Sequence, residues 1–291
     1  MRKIFVFMLA VLLALTMTAH AEAAKVMTSF YPMYIFAMNV FDGIDGIEID
    51  CMTAPETGCL HDYQLLVGDM MKLSDAAALI VCGAGMENYL PDVQQQFPEL
   101  AVIDCSQGIA LLVEESDEEE AELNAHTWLD AQNAIKIVNT IAENAGLLFP
   151  EYAQQIASNA LAYTDKLEAL DMQLKDQLSP VQGKAIVTFH DAFPYFANAY
   201  GLQIAAVISE EHEETLSPAQ LSQVIETVRE AGNPPLFTEP QYSAAAAYAV
   251  SAETGAPIFT LDPLVSGDFE KDAYEAGMQR NAEALLEAFA Q

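Results

Sequence analysis

Along the chain, short apolar runs alternate with longer stretches of helical periodicity. In the first half the runs are Val26 to Phe30, Ile47 to Met52, Ala77 to Cys82 and Ala101 to Asp104; the pattern restarts at Ala185 to Phe189 and continues through Leu202 to Ile208, Pro235 to Thr238 and Ile258 to Leu261. Strands that alternate with helices form parallel sheets covered by helices on both faces. The pattern therefore predicts an α/β protein built from two parallel-sheet units in tandem.

Between the units, Glu151 to Leu178 contains no Gly or Pro and carries apolar residues at Ile156, Leu161, Leu167, Leu170 and Leu174. Pro150 before it and Pro180 behind it mark a helix start and stop. One helix of this length, over about 40 Å at 1.5 Å per residue, spans two domains as a stiff connector. The expected division is an N-terminal lobe at 22–149, a linking helix at 150–180 and a C-terminal lobe at 181–291, with 1–21 set apart.

Residues 1–21 read as a cleavable signal peptide. Arg2 and Lys3 precede an apolar run from Ile4 to Leu15, and Ala19-His20-Ala21 supplies a small-residue cleavage site before Glu22. No second run of about 20 apolar residues follows, so stable membrane insertion is not expected. No cysteine lies at the junction, which predicts a protein without a lipid anchor, free in the periplasm or an equivalent exported space.

Charge narrows the partners. The chain has 43 acidic against 11 basic residues, a net charge of -32, which repels nucleic acid and anionic lipid and favours cations. Glu114 to Glu122 holds seven acidic residues without apolar periodicity and reads as a mobile loop; Glu210-Glu211-His212-Glu213-Glu214 is a second acidic cluster. Cys51, Cys59, Cys82 and Cys105 permit two disulfides in three pairings, and no Cys-x-x-Cys spacing is present. They read as disulfides or buried thiols rather than as a cysteine metal site.

Four histidines remain after the leader. His61 lies in the loop after the second strand, His190 at the end of the fifth, and Asp262 in the equivalent place after Ile258 to Leu261. In open parallel sheets ligands bind beyond the carboxyl ends of strands. His126 follows the acidic loop and opens a helix. Three neutral imidazoles and one carboxylate form a donor set suited to zinc. His212 reads as a solvated loop residue ahead of an auxiliary ligand, Cys59, two residues from His61, as a disulfide partner ahead of a thiolate donor, and Glu239 as lining the cleft, capping a helix or holding a ligand in place. Gly83-Ala84-Gly85 lacks the third glycine of a dinucleotide fingerprint and reads as a tight turn.

From about Lys25 onward the chain resembles the zinc- and manganese-binding solute receptors of ABC importers, the TroA-like or cluster A-I family. The resemblance rests on Thr28-Ser29-Phe30-Tyr31-Pro32, His61-Asp62-Tyr63, Gly83-Ala84-Gly85-Met86-Glu87, His126-Thr127-Trp128-Leu129-Asp130, Thr188-Phe189-His190-Asp191 and Thr260-Leu261-Asp262-Pro263-Leu264, in that order. It implies two α/β lobes joined by a rigid helix, with a divalent metal held in the cleft by His61 and His126 of the first lobe and His190 and Asp262 of the second. It also implies a monomer that hands its ion to a membrane permease, with no catalytic residues and no bound organic cofactor. Histidine at the third ligand position and an acid-rich insertion before the second resemble the zinc-type members, so zinc is the expected cargo and manganese or iron the alternative. The insertion here departs from their pattern in lacking histidine.

An exported metallohydrolase is the rival class, since His61-Asp62 and His190-Asp191 resemble the dyads of HD-type phosphohydrolases. Those dyads lie on helices, whereas these follow predicted strands, and the net charge would repel phosphate esters. His-Glu-x-x-His and Gly-x-Ser-x-Gly motifs are both missing from the sequence. A surface-adhesion role is a third class that the resemblance leaves open.

Overall fold

The structure, a computed structural model, describes residues 23–60, 63–113, 123–208 and 217–290. The leader, His61 and Asp62, the acidic loop and the cluster around His212 lie outside these residues.

The first sheet is made of β1 (Ala24–Thr28), β2 (Ile47–Cys51), β3 (Ala76–Val81) and β4 (Ala101–Asp104), all parallel, in the order β2-β1-β3-β4. Its helices are α1 (Tyr31–Val40), α2 (Val67–Ser74) and α3 (Leu90–Gln96). Two long helices follow, α4 (Ala131–Leu148) and α5 (Ala153–Gln177). The second sheet repeats the first arrangement. Its strands are β5 (Ala185–Thr188), β6 (Gln203–Val207), β7 (Leu236–Thr238) and β8 (Ile258–Thr260), in the order β6-β5-β7-β8, with α6 (Pro194–Tyr200), α7 (Pro218–Glu230), α8 (Ala245–Thr254) and α9 (Ala273–Phe289).

Helix α5 does more than connect. It packs along α4, touches α1 and is crossed by α9, so Ile156, Tyr163, Leu167 and Leu174 are buried in the same core as the first sheet. That core runs on into one face of the second sheet, through Ile186, Phe237 and the partly buried Phe259. The opposite face, through Val187, Leu236 and Ile258, packs against α7 and α8 in a smaller separate core. Alternation of side chains along a strand assigns neighbours to opposite faces, and the second sheet uses both.

Polar contacts also tie the halves together. The Tyr195 hydroxyl of α6 donates to the Asn124 carbonyl at 2.9 Å and accepts from the Leu112 amide at 2.9 Å. Trp128 Nε1 donates to the Pro263 carbonyl at 2.7 Å, and the Tyr274 hydroxyl of α9 donates to the Trp128 carbonyl at 2.7 Å.

The strand order places a switch point between β1 and β3 in the first sheet and between β5 and β7 in the second, because the chain leaves toward opposite edges there. At the first, Gly83, Ala84 and Gly85 all adopt positive φ, and the tight turn they form brings buried Glu87 back onto the strand end. The Cys82 and Gly83 amides donate to its two oxygens at 2.8 and 3.0 Å. A Cβ on Gly83 would sit 2.0 Å from Asp104 Oδ1, so glycine is required here by space as well as by φ.

Burial raises the Glu87 carboxyl from its ordinary 4.5 to about 7, although the two amides pull it down. The folded state therefore holds a proton that the unfolded chain has already released across that window. The contribution to stability is full below pH 4.5 and disappears as pH rises through 7. We expect the stability advantage of the wild type over Glu87→Gln to shrink across this range by on the order of 3 kcal/mol, read from urea unfolding at stepped pH. A difference that stays flat would show an unperturbed carboxyl.

Candidate metal centre

The second switch point carries the site. His190 follows β5 and Glu239 follows β7 directly, so adjacent strands deliver an imidazole and a carboxylate to one place. His190 Nδ1 lies 3.2 and 3.3 Å from the two Glu239 oxygens. Glu239 is buried, and its second oxygen also accepts from Gln241 Nε2 at 2.7 Å. Burial pushes this carboxyl upward while the neighbouring His190 pulls it down. An anionic acceptor on Nδ1 holds the proton on that nitrogen and leaves Nε2 with its lone pair.

His126 reaches the same place from the first half. It precedes a single 3-10 turn, Thr127–Leu129, and is almost fully buried against Trp128, whose ring centroid lies 5.2 Å away. Its Nδ1 lies 3.3 Å from Asn124 Oδ1. The Asn124 amide is fixed in that sense because its Nδ2 donates across the cleft to the Asp191 carbonyl at 2.6 Å and to Asp191 Oδ2 at 3.2 Å. With Nδ1 turned to Asn124, Nε2 is the ring nitrogen directed toward Cys59.

The two imidazoles meet edge to face with centroids 4.8 Å apart. Cys59 joins them, its Sγ 3.5 Å from His126 Nε2, and one donor atom from each of Cys59, His126 and His190 lies within 4.8 Å of the others. Burial, reinforced by the Glu239 charge, pushes the Cys59 thiol well above its ordinary value.

Of the sequence-derived set, the structure brings His126 and His190 together. His61 lies outside the described residues. Asp262 is outside the three-donor group: its Oδ1 accepts from the Leu264 amide at 2.8 Å, and its Oδ2 faces Arg280 Nη2 at 3.9 Å. Burial raises its carboxyl, with the Leu264 amide and Arg280 opposing.

The disulfide reading is corrected. All four cysteines are free thiols, with Cys51, Cys82 and Cys105 buried in the first half and Cys59 turned to the imidazoles. The Cys82 thiol donates to the Ala125 carbonyl at 3.3 Å. Sequence reasoning ranked a disulfide above a thiolate for Cys59 and left Asn124 unremarked. An Asn two residues before a candidate ligand was the available signal, since that spacing suits a side chain that folds back on its own loop.

The model of the ZnuA family, described as the periplasmic component A of the zinc-uptake complex, matches residues 26–288. The chain is 28% identical over 277 residues to the zinc-binding lipoprotein AdcA of Streptococcus pneumoniae, covering 90% of this chain but only 55% of AdcA. It thus spans about half the length of that relative. It is 27% identical to the manganese ABC transporter substrate-binding lipoprotein PsaA of the same species, covering 100% of both chains. The crystal structure of ZnuA superposes with a TM-score of 0.77 at 26% identity, covering 90% of this chain and 99% of that one. With nearly its whole length matched by the family model, the chain belongs to the ZnuA family of zinc-uptake solute-binding components.

Proposed function

We propose that this chain is the extracytoplasmic receptor of an ABC importer, capturing a divalent metal ion, zinc above others, and passing it to the membrane permease. His61, His126, His190 and Asp262 are the proposed donors. One observation carries the reading: two imidazoles from opposite halves converge edge to face, with Nδ1 of one beside Asn124 and Nδ1 of the other beside Glu239, and each brings a ring nitrogen within 4.8 Å of the other and of Cys59 Sγ. Among the described residues no helix is long and apolar enough to cross a membrane, which suits a receptor working beside its permease. The family is one of solute-binding receptors, and capture without catalysis is the reading that follows from it.

Zinc accepts imidazole in a closed tetrahedron, whereas manganese favours oxygen donors and higher coordination, and zinc outranks manganese in intrinsic affinity at mixed nitrogen and oxygen sites. The match to PsaA over the whole chain supports manganese as the second reading. Metal analysis of protein purified without chelators, followed by competition calorimetry, separates the two. We expect zinc to displace manganese at equal free concentration and His190→Glu to narrow the gap. A wild-type preference for manganese would overturn the zinc assignment, and turnover of a phosphate or peptide substrate would overturn the receptor.

A further inference from the structure

We infer that Cys59 supplies a sulfur donor to the captured ion, which makes the site selective for thiophilic d10 cations (zinc, cadmium and copper(I)) rather than for divalent metals at large. This rests on the receptor reading above and revises its donor set: Cys59 takes the vertex given there to Asp262, which lies outside the three-donor group.

The geometry is that of a coordination edge. Zinc bonds to imidazole nitrogen at about 2.05 Å and to thiolate sulfur at about 2.3 Å; at the tetrahedral angle these lengths separate the two donors by about 3.6 Å. Cys59 Sγ and His126 Nε2 are 3.5 Å apart. Nδ1 of that ring is turned to Asn124 and Nε2 to the sulfur, so sulfur and imidazole already stand as neighbouring vertices of one polyhedron. The nitrogen of His190 completes a face, with all three donors inside 4.8 Å, and a modest contraction brings it to bonding distance.

The loop around Cys59 is built to keep the sulfur there. Gly58 takes φ +83, a backbone conformation disfavoured for residues with a side chain, and Leu60 on the other side is fully buried in the main core. Cys59 is therefore anchored on the Leu60 side while remaining partly accessible. On capture the thiol proton passes to solvent as the Sγ–metal bond forms, since a bound dication deprotonates a coordinating thiol outright.

Manganese gains little from thiolate, whereas zinc and the softer ions gain strongly. Sulfur in the set would thus raise discrimination beyond what imidazoles provide.

The test is cobalt(II) substitution of the intact protein, read by absorption. Thiolate bound to cobalt gives an intense near-ultraviolet charge-transfer band, distinct from the weaker visible d–d bands that any tetrahedral site shows. We expect the band in wild type, its loss in both Cys59→Ser and Cys59→Ala with the d–d bands retained, and a fall in cadmium affinity of at least about tenfold that exceeds the fall for manganese. Cobalt bound with d–d bands alone in wild type, or a band that survives both substitutions, would overturn the sulfur donor and leave the receptor standing. Failure of wild type to bind cobalt or zinc at all would overturn both. The wild-type spectrum decides even if a variant folds poorly.

Discussion

Zinc affinity will fall about a hundredfold or more in His126→Ala and in His190→Ala, and about tenfold in Glu239→Gln, with each variant as stable to urea as the wild type to within about 1 kcal/mol. The ranking follows from what each side chain touches. His126 and His190 each bring a ring nitrogen to the three-donor group, and loss of either removes a donor outright. Glu239 holds His190 through Nδ1, and such supporting partners cost about 10–100-fold when lost. Glutamine retains an acceptor oxygen, which places its effect at the low end. Isothermal titration with a competing chelator gives the affinities. Wild-type affinity in either histidine variant would remove that residue from the site; a glutamine variant as damaged as the alanines would make Glu239 itself a donor.

Trp128→Ala is expected to have the largest effect on stability, about 4 kcal/mol, toward the middle of the range for deleting a buried aromatic side chain. Trp128 is fully buried, packed edge to face on Phe30 at 5.3 Å, and its indole N–H satisfies the Pro263 carbonyl from the other half. Alanine leaves both a cavity and an unmade hydrogen bond. Because total stability of a folded protein is about 5–15 kcal/mol, such a loss is a large share of it. Urea unfolding measures it, with the midpoint moving at unchanged slope. Trp128→Phe, which keeps most of the apolar volume, should lose less than half as much. An alanine variant within about 1 kcal/mol of wild type would show that the two halves do not depend on this contact.

The strands were legible because a buried parallel sheet leaves near-continuous apolar runs. Ala77 to Cys82 and Pro235 to Thr238 fall within two residues of the observed β3 and β7. The long helix was equally plain: Glu151 to Leu178 against the observed Ala153–Gln177. Its role was not plain, because the apolar stripe at Ile156, Tyr163 and Leu167 says that a partner exists without saying that the partner is α4. The strand order, β2-β1-β3-β4 repeated as β6-β5-β7-β8, comes from crossover connections that no local pattern records. At the site, His126 and His190 were legible as histidines at strand ends and loop ends. Asn124 was not, since its significance depends on which residue of the other half stands opposite, and Cys59 was legible as a thiolate only behind a disulfide, because oxidising export argued for disulfides where the structure has thiols.

The core that continues from the first sheet through α4 and α5 into the second has a kinetic meaning. Swinging the halves apart would expose apolar side chains such as Trp128 and Tyr274 at about 1.5–3 kcal/mol apiece, so thermal opening is rare. An ion held at nanomolar strength and arriving at about 10⁷ M⁻¹s⁻¹ then dwells on the order of 100 s before leaving unaided. On the receptor reading proposed above, uptake on a shorter timescale would require a permease to strain the cleft on docking, and residence time, rather than affinity, would be what such a partner acts upon.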